Sequence, residues 1–256
     1  MRPFTAFTKK EFIEHTRSGK LLVLFIIFCL FGIMNPAIAK ITPWMMEMLS
    51  EELAKNGMTI NAVKVDALTS WSQFFKNMPT ALIVFLVMFC GILVNEYQKG
   101  TLINIVTKGL SRFKIIIAKA FTMFVLWTLC FLISYGITYA YTAYFWDNSI
   151  AHNLFFASFC FYLLGLWLIT VILLASTIFT SSSSIILSLG GVFLVAYLLA
   201  LLPSLTQLSP TYLMDSANLV TGISSSSDYL TAIIITIVLM CINVASSILL
   251  FNKKNL

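Results

Sequence analysis

Along the 256-residue chain, long apolar runs alternate with short polar connections. Six runs are long enough for an α-helix to cross about 30 Å of hydrocarbon, which takes roughly 20 residues. They are 21–39, 79–95, 120–145, 154–179, 185–202 and 229–251, and none contains Asp, Glu, Lys, Arg or His. The pattern predicts an all-α integral membrane protein of six transmembrane helices forming one domain over 1–256. Residues 41–78 and 203–228 become extracellular segments, and 96–119 a cytoplasmic loop. Ahead of the first run, 1–20 is basic, and its Phe4, Phe7 and Phe12 share one face at helical spacing, with Lys9, Lys10 and Arg17 opposite. That spacing predicts an amphipathic helix lying along the inner membrane surface. A merely solvated basic leader is the plainer reading.

Composition agrees: 59% of residues are apolar and 10% charged, against about 25% charged in soluble domains. A soluble enzyme and a disordered chain are both excluded. The net charge of +6 is compatible with nucleic acid or a membrane until its distribution is followed. The N-terminal segment, the 96–119 loop and the tail hold twelve of the sixteen basic residues but three of the ten acids (Glu11, Glu14, Glu96). The other connections hold four basic residues and seven acids. Lysine and arginine collect on the cytoplasmic side, so both termini are expected inside and nucleic acid leaves the list of partners.

Several local features have two readings. The run 21–34, followed by Ala37-Ile38-Ala39, resembles a signal peptide with its cleavage site, but its 20-residue leader favours a permanent span. Pro43–Lys55 reads as a separate short helix ended by Asn56-Gly57, and Asn77-Met78-Pro79 as a bend leading into the second span. Met45, Met46 and Met48 are expected to pack rather than bind Cu(I), having no Cys or His beside them. Trp44, Trp71, Trp146, Tyr97, Tyr141, Tyr144, Tyr212 and Tyr229 fall at span ends, as interfacial aromatics do. Ser188-Leu189-Gly190-Gly191 suits close helix packing. No G-x4-G-K-[ST] loop occurs, so ATP has no backbone cradle here, and no enzymatic motif or metal-ligand cluster is recognisable. Chargeless spans also disfavour a proton-coupled transporter.

The loop after the second run carries the strongest local signal: Glu96, then Gly100-Thr101-Leu102, Ser111-Arg112 and Lys119. Gly100 permits a turn at the membrane exit, and Ser111 is placed to cap a short helix beginning near Arg112. This E-x3-GTL…SR…K pattern, with the six spans and the amphipathic leader, resembles the permease subunits of ABC-2 type ABC transporters. Where that pattern usually has Pro before Ser-Arg, this chain has Lys108-Gly109-Leu110. The resemblance implies a membrane subunit in a bacterial cytoplasmic membrane, exporting a lipophilic or amphipathic substrate. It also implies a separate ATPase subunit dimer that binds ATP and Mg, and a second permease copy, the homodimer being favoured over a heterodimer. Glu96, Gly100, Thr101, Arg112, Lys114 and Lys119 would then couple the ATPase to the spans, Glu96 by pairing with a neighbouring Lys or Arg. Phe4, Phe7, Lys10 and Phe12 would form the interface helix. An immunity or assembly scaffold, and less so a secondary transporter or channel, stand as alternatives.

Overall fold

A computed structural model describes residues 2–54, 65–107 and 109–254. The Asn56-Gly57 break and Lys108 lie outside them. The described chain forms ten α-helices: α1 (Arg2–Arg17), α2 (Lys20–Ala54), α3 (Ala67–Phe89), α4 (Val94–Gln98), α5 (Thr101–Thr107), α6 (Arg112–Phe145), α7 (Leu154–Ile178), α8 (Ser182–Ala200), α9 (Ala217–Val220) and α10 (Leu230–Lys253). Six stretches, built on α2, α3 with α4, α6, α7, α8 and α10, are long and apolar enough to cross a membrane. Both termini lie at one end of the bundle, where α1 packs across α6 and Arg112 at the start of α6 meets the end of α10. This is called the terminal end below.

Three helices are longer or more broken than their apolar runs predict. The separate Pro43–Lys55 helix does not form; α2 continues unbroken through Pro36 and Pro43. A proline inside a helix leaves the carbonyl four residues earlier without its N–H partner. For Pro36 that carbonyl belongs to Gly32, and the Thr138 hydroxyl of α6 donates to it at 3.0 Å. Asn35 completes the joint, donating to Thr138 Oγ1 at 3.2 Å and accepting from Asn77 of α3 at 2.9 Å. Likewise α3 is unbroken at Pro79 and starts early, at a capping box formed by Asp66 and Thr69. Its interruption comes later, between Phe89 and Val94, around Gly91. Ser111 stands at the N-cap of α6 but makes no side-chain capping bond. The helix it precedes is not short: it runs 34 residues to Phe145 as the third span.

Helix α7 is the axis of the fold. Of its most apolar stretch 78% is buried, against 11% for α8 and 17% for the stretch containing α10. Its Gly165 lies under the Trp127 indole, where a Cβ would collide with the ring. Trp127 in turn donates to the Tyr162 carbonyl at 3.1 Å. Aromatic rings continue along α3 and α6 through Phe131, Tyr135, Phe74 and Trp71. Trp71 is therefore fully buried rather than interfacial, and so is Tyr229. Tyr229 stacks on Tyr212 and donates to the Asp215 carbonyl at 3.0 Å, pinning residues 203–228 back onto the bundle.

Glycines 190 and 191 depart furthest from expectation. A Cβ built at either meets nothing within 4 Å, so among the described residues no helix packs closely against them.

Candidate functional site

The terminal end gathers nearly every charge that the fold buries. Within α1, Phe7, Glu11 and His15 recur every four residues and turn inward together, while Phe4 and Phe12 are half-buried beside them. The inward face is thus not the phenylalanine stripe alone; a carboxylate sits in its middle. Lys119, two turns into α6, is 1% exposed. Its ammonium lies 2.9 Å from Glu11 Oε2 and 3.0 Å from Glu96 Oε2. Lys10 reaches Glu96 Oε1 at 2.9 Å, Glu11 Oε1 at 3.1 Å and Glu14 at 2.7 Å. Lys10 therefore does not point away from the bundle; its flexible stem brings the ammonium round to Glu96.

Lys10, Glu11, Lys119 and Glu96 alternate in sign around a closed ring, with Glu14 attached outside. Burying a charge is costly unless it is paired and hydrogen-bonded. The ring pairs Glu11, Glu96 and Lys119, with hydrogen bonds from Lys10 to Glu96 Oε1 and from Lys119 to Glu11. Glu96 Oε2 has the Lys119 ion pair but no hydrogen bond among the described residues. Burial pushes the Glu11 carboxyl up, but Lys119 and then Lys10 overcome this and hold it below its ordinary range. Burial likewise opposes ionisation of Glu14 and Lys10. Lys10 nevertheless holds Glu14 down, and the carboxylates of Glu14, Glu96 and Glu11 keep the Lys10 ammonium well above its usual value. His15 packs edge-on against Phe89, its Nε2 buried without a hydrogen-bond partner among the described residues. Burial lowers its pKa, and the neutral ring is the form that fits.

Oxygens of Glu11, Glu14 and Glu96 lie within 4.8 Å of one another, a spacing suited to a metal. Lys10 and Lys119 already stand among them and supply the compensating charge, so the donor set does not fit a cation.

A second set of bonds ties the basic residues to helix ends. Arg112 donates through Nη1 to the carbonyls of Phe251, Asn252 and Lys254, at 2.6 Å to the last. Lys254 donates to the Thr177 carbonyl at the end of α7, at 2.8 Å, and lies 4.4 Å from the Tyr97 ring centre. Lys20 donates to the Met88 carbonyl in the last turn of α3 at 3.2 Å. The last carbonyls of a helix lack intrahelical partners and carry the negative end of its dipole. Each of α3, α7 and α10 thus ends on a cation from another part of the chain.

The structure brings Lys10, Glu96, Lys119 and Phe7 together, as a contact between α1, α4 and α6. Gly100 turns the chain between α4 and α5 at φ +64°, and Thr101 donates to the Glu96 carbonyl at 3.4 Å. Arg112 is apart from the ring, on the tail, and Lys114 is exposed. Sequence reasoning missed Glu11, Glu14 and Lys254. Glu11 had left a signal, a carboxylate four residues from both Phe7 and His15. Lys254 had left none, because a terminal lysine looks the same whether solvated or capping a helix.

A family model described as ABC-2 family transporter protein matches residues 5–256. An uncharacterized transmembrane protein, YxlG of Bacillus subtilis (strain 168), is 25% identical over 229 residues, covering 85% of this chain and 84% of the relative.

Proposed function

The chain belongs to the ABC-2 transporter family, and from that premise we propose that it is the permease subunit of an ATP-driven exporter in a bacterial cytoplasmic membrane. Both termini face the cytoplasm, where a separate ATPase dimer binds ATP and Mg. Two permease copies, most simply identical, complete the transporter, and the path between them runs along the second and fifth spans. A lipophilic or amphipathic cargo suits spans without charge: a hydrophobic drug, an antimicrobial peptide or a lipid.

The observation that carries this reading is the family match over residues 5–256, in a chain with no phosphate-binding loop of its own. The ion-pair ring supports a coupling role for the terminal end. A push on the 96–119 segment is delivered through Glu96 to α1 and, through Lys119, to the third span. A push at the start of α6 reaches α10 through Arg112. Exposed Lys99 and Lys114 are then available to the ATPase surface, while Glu96, Arg112 and Lys119 act behind it as positioning residues.

Mild-detergent purification of the tagged chain is expected to bring an ATPase subunit with it. In that complex Glu96→Gln and Arg112→Gln should reduce transport per ATP hydrolysed more than they reduce ATP hydrolysis itself. Recovery of the chain without any ATPase, or an unchanged transport-to-hydrolysis ratio in both variants, would sink the coupling role.

A further inference from the structure

Helix α8 meets the rest of the bundle at α7 and at residues 206–216, and a hollow lies on each side of it. The hollow facing α3, about 310 Å³, is lined by carbon-rich side chains such as Leu82, Leu86, Phe161 and Phe193. It offers a ligand nothing to orient it. The hollow between α7, α8 and α10 is about 650 Å³ and different in kind. Its walls include Trp167, Val195 and Leu239, but Ser188 and Asn243 also open into it, and Gly191 forms part of its floor.

An asparagine facing hydrocarbon is expensive, and such residues usually serve a binding or transport role. Asn243 donates one N–H to Thr170 Oγ1 at 3.1 Å, and Thr170 passes its own proton to the Trp167 carbonyl at 2.7 Å. Among the described residues nothing else bonds to the Asn243 side chain, so its carbonyl oxygen and second N–H are unspent. The Ser188 hydroxyl across the hollow makes no hydrogen bond among them either. By contrast, Ser209 at the far rim is satisfied, donating to the Ala196 carbonyl at 2.7 Å. At 1.5 Å per residue, Asn243 lies about 15 Å from the end of α10, too deep for the ester groups of an ordinary lipid. The volume falls within the roughly 300–1,000 Å³ of sites that hold drug-sized ligands, apolar pockets with a few placed polar groups. No charged side chain lines it.

We propose that this hollow binds a neutral, drug-sized amphipathic molecule, apolar over most of its surface, whose amide, hydroxyl or carbonyl group meets Asn243, the Ser188 hydroxyl being open to it on the opposite wall. Gly191 leaves the room that the ligand body fills. The site rests on α7, α8 and α10 being spans and does not depend on an ATPase partner, so the two ideas can fail separately.

The full-length chain in lipid nanodiscs can be photolabelled with a neutral N-alkyl anilide carrying a diazirine, and the labelled peptides mapped by mass spectrometry. Saturable labelling is expected on the stretches of α8 and α10 that line the hollow. Asn243→Leu should weaken it roughly three- to tenfold, the loss of one hydrogen bond. Gly191→Leu and, separately, Val195→Trp should abolish it by filling the space. Both side chains are introduced where the chain has room or is already exposed, and monodisperse elution verifies folding. Labelling that never saturates, that an amide-free alkane of equal size displaces equally well, or that survives Asn243→Leu and both filling variants would overturn the proposal.

Discussion

The two ends of this bundle's chemistry are the ion-pair ring beside α1 and the hollow beside α8. In the ring, Glu11, Glu96 and Lys119 are buried to the same degree as the leucines of the core, yet each charge faces an opposite one within about 3 Å. Beside α8 no charge occurs, the packing is loose, and two polar side chains keep unused hydrogen-bonding capacity. One region commits its charged groups to holding helices together; the other holds polar groups in reserve. A transporter needs both, since force must pass through something stiff and cargo must enter something that yields.

Breaking the stiff side should have the largest effect. Lys119→Met keeps the length of the stem but removes the cation between Glu11 and Glu96. Leaving buried charge unpaired costs about 3–5 kcal/mol, so thermal unfolding in detergent should show a large fall in melting temperature. Adding Glu11→Gln to that variant should restore part of it, because the uncompensated carboxylate is then gone. No loss in the single variant would mean that the ring is solvated rather than buried.

Acid probes the same side more gently. His15 and Glu11 both have folded-state pKa values below their ordinary 6.5 and 4.5. For groups shifted down, the contribution to stability is complete above the unfolded value and is lost as pH falls through the folded one. Stability should therefore begin to fall below pH 6.5, as His15 must take up a proton, and fall more steeply below pH 4.5 as Glu11 is neutralised. Unfolding measured from pH 7.5 to 4 should show the first decline vanish in His15→Leu and the second shrink in Glu11→Gln.

The smallest effect is expected on the loose side, and it sharpens the contrast. Gly190→Ala and Gly191→Ala introduce methyl groups into open space and should stabilise α8 by up to about 1 kcal/mol through helix propensity. Gly165→Ala, the same change in α7, must displace the Trp127 indole and should destabilise by about 1–3 kcal/mol. Melting temperatures of the three variants decide the matter; equal behaviour would mean that α8 is packed as tightly as α7.

Six apolar runs free of charge, the clustering of basic residues in three connections and the Glu96…Lys119 motif were all legible in the sequence. Each depends on local composition, which hydrocarbon constrains severely. Helix continuity through Pro36 was not legible, because it depends on the Thr138 hydroxyl, which lies 106 residues from Gly32 in sequence. Nor was the use made of the basic residues. Read along the chain, Lys20, Arg112 and Lys254 are a charge bias; folded, they cap the ends of α3, α10 and α7. Gly165 and Gly191 are the same residue in neighbouring spans, and only the fold puts an indole over one and a hollow over the other. The sequence alone determined which segments can live in a membrane, since that is a matter of what each residue costs to dehydrate. The tertiary structure decided which of the remaining polar groups find one another, because pairing depends on distances between helices that no single segment encodes.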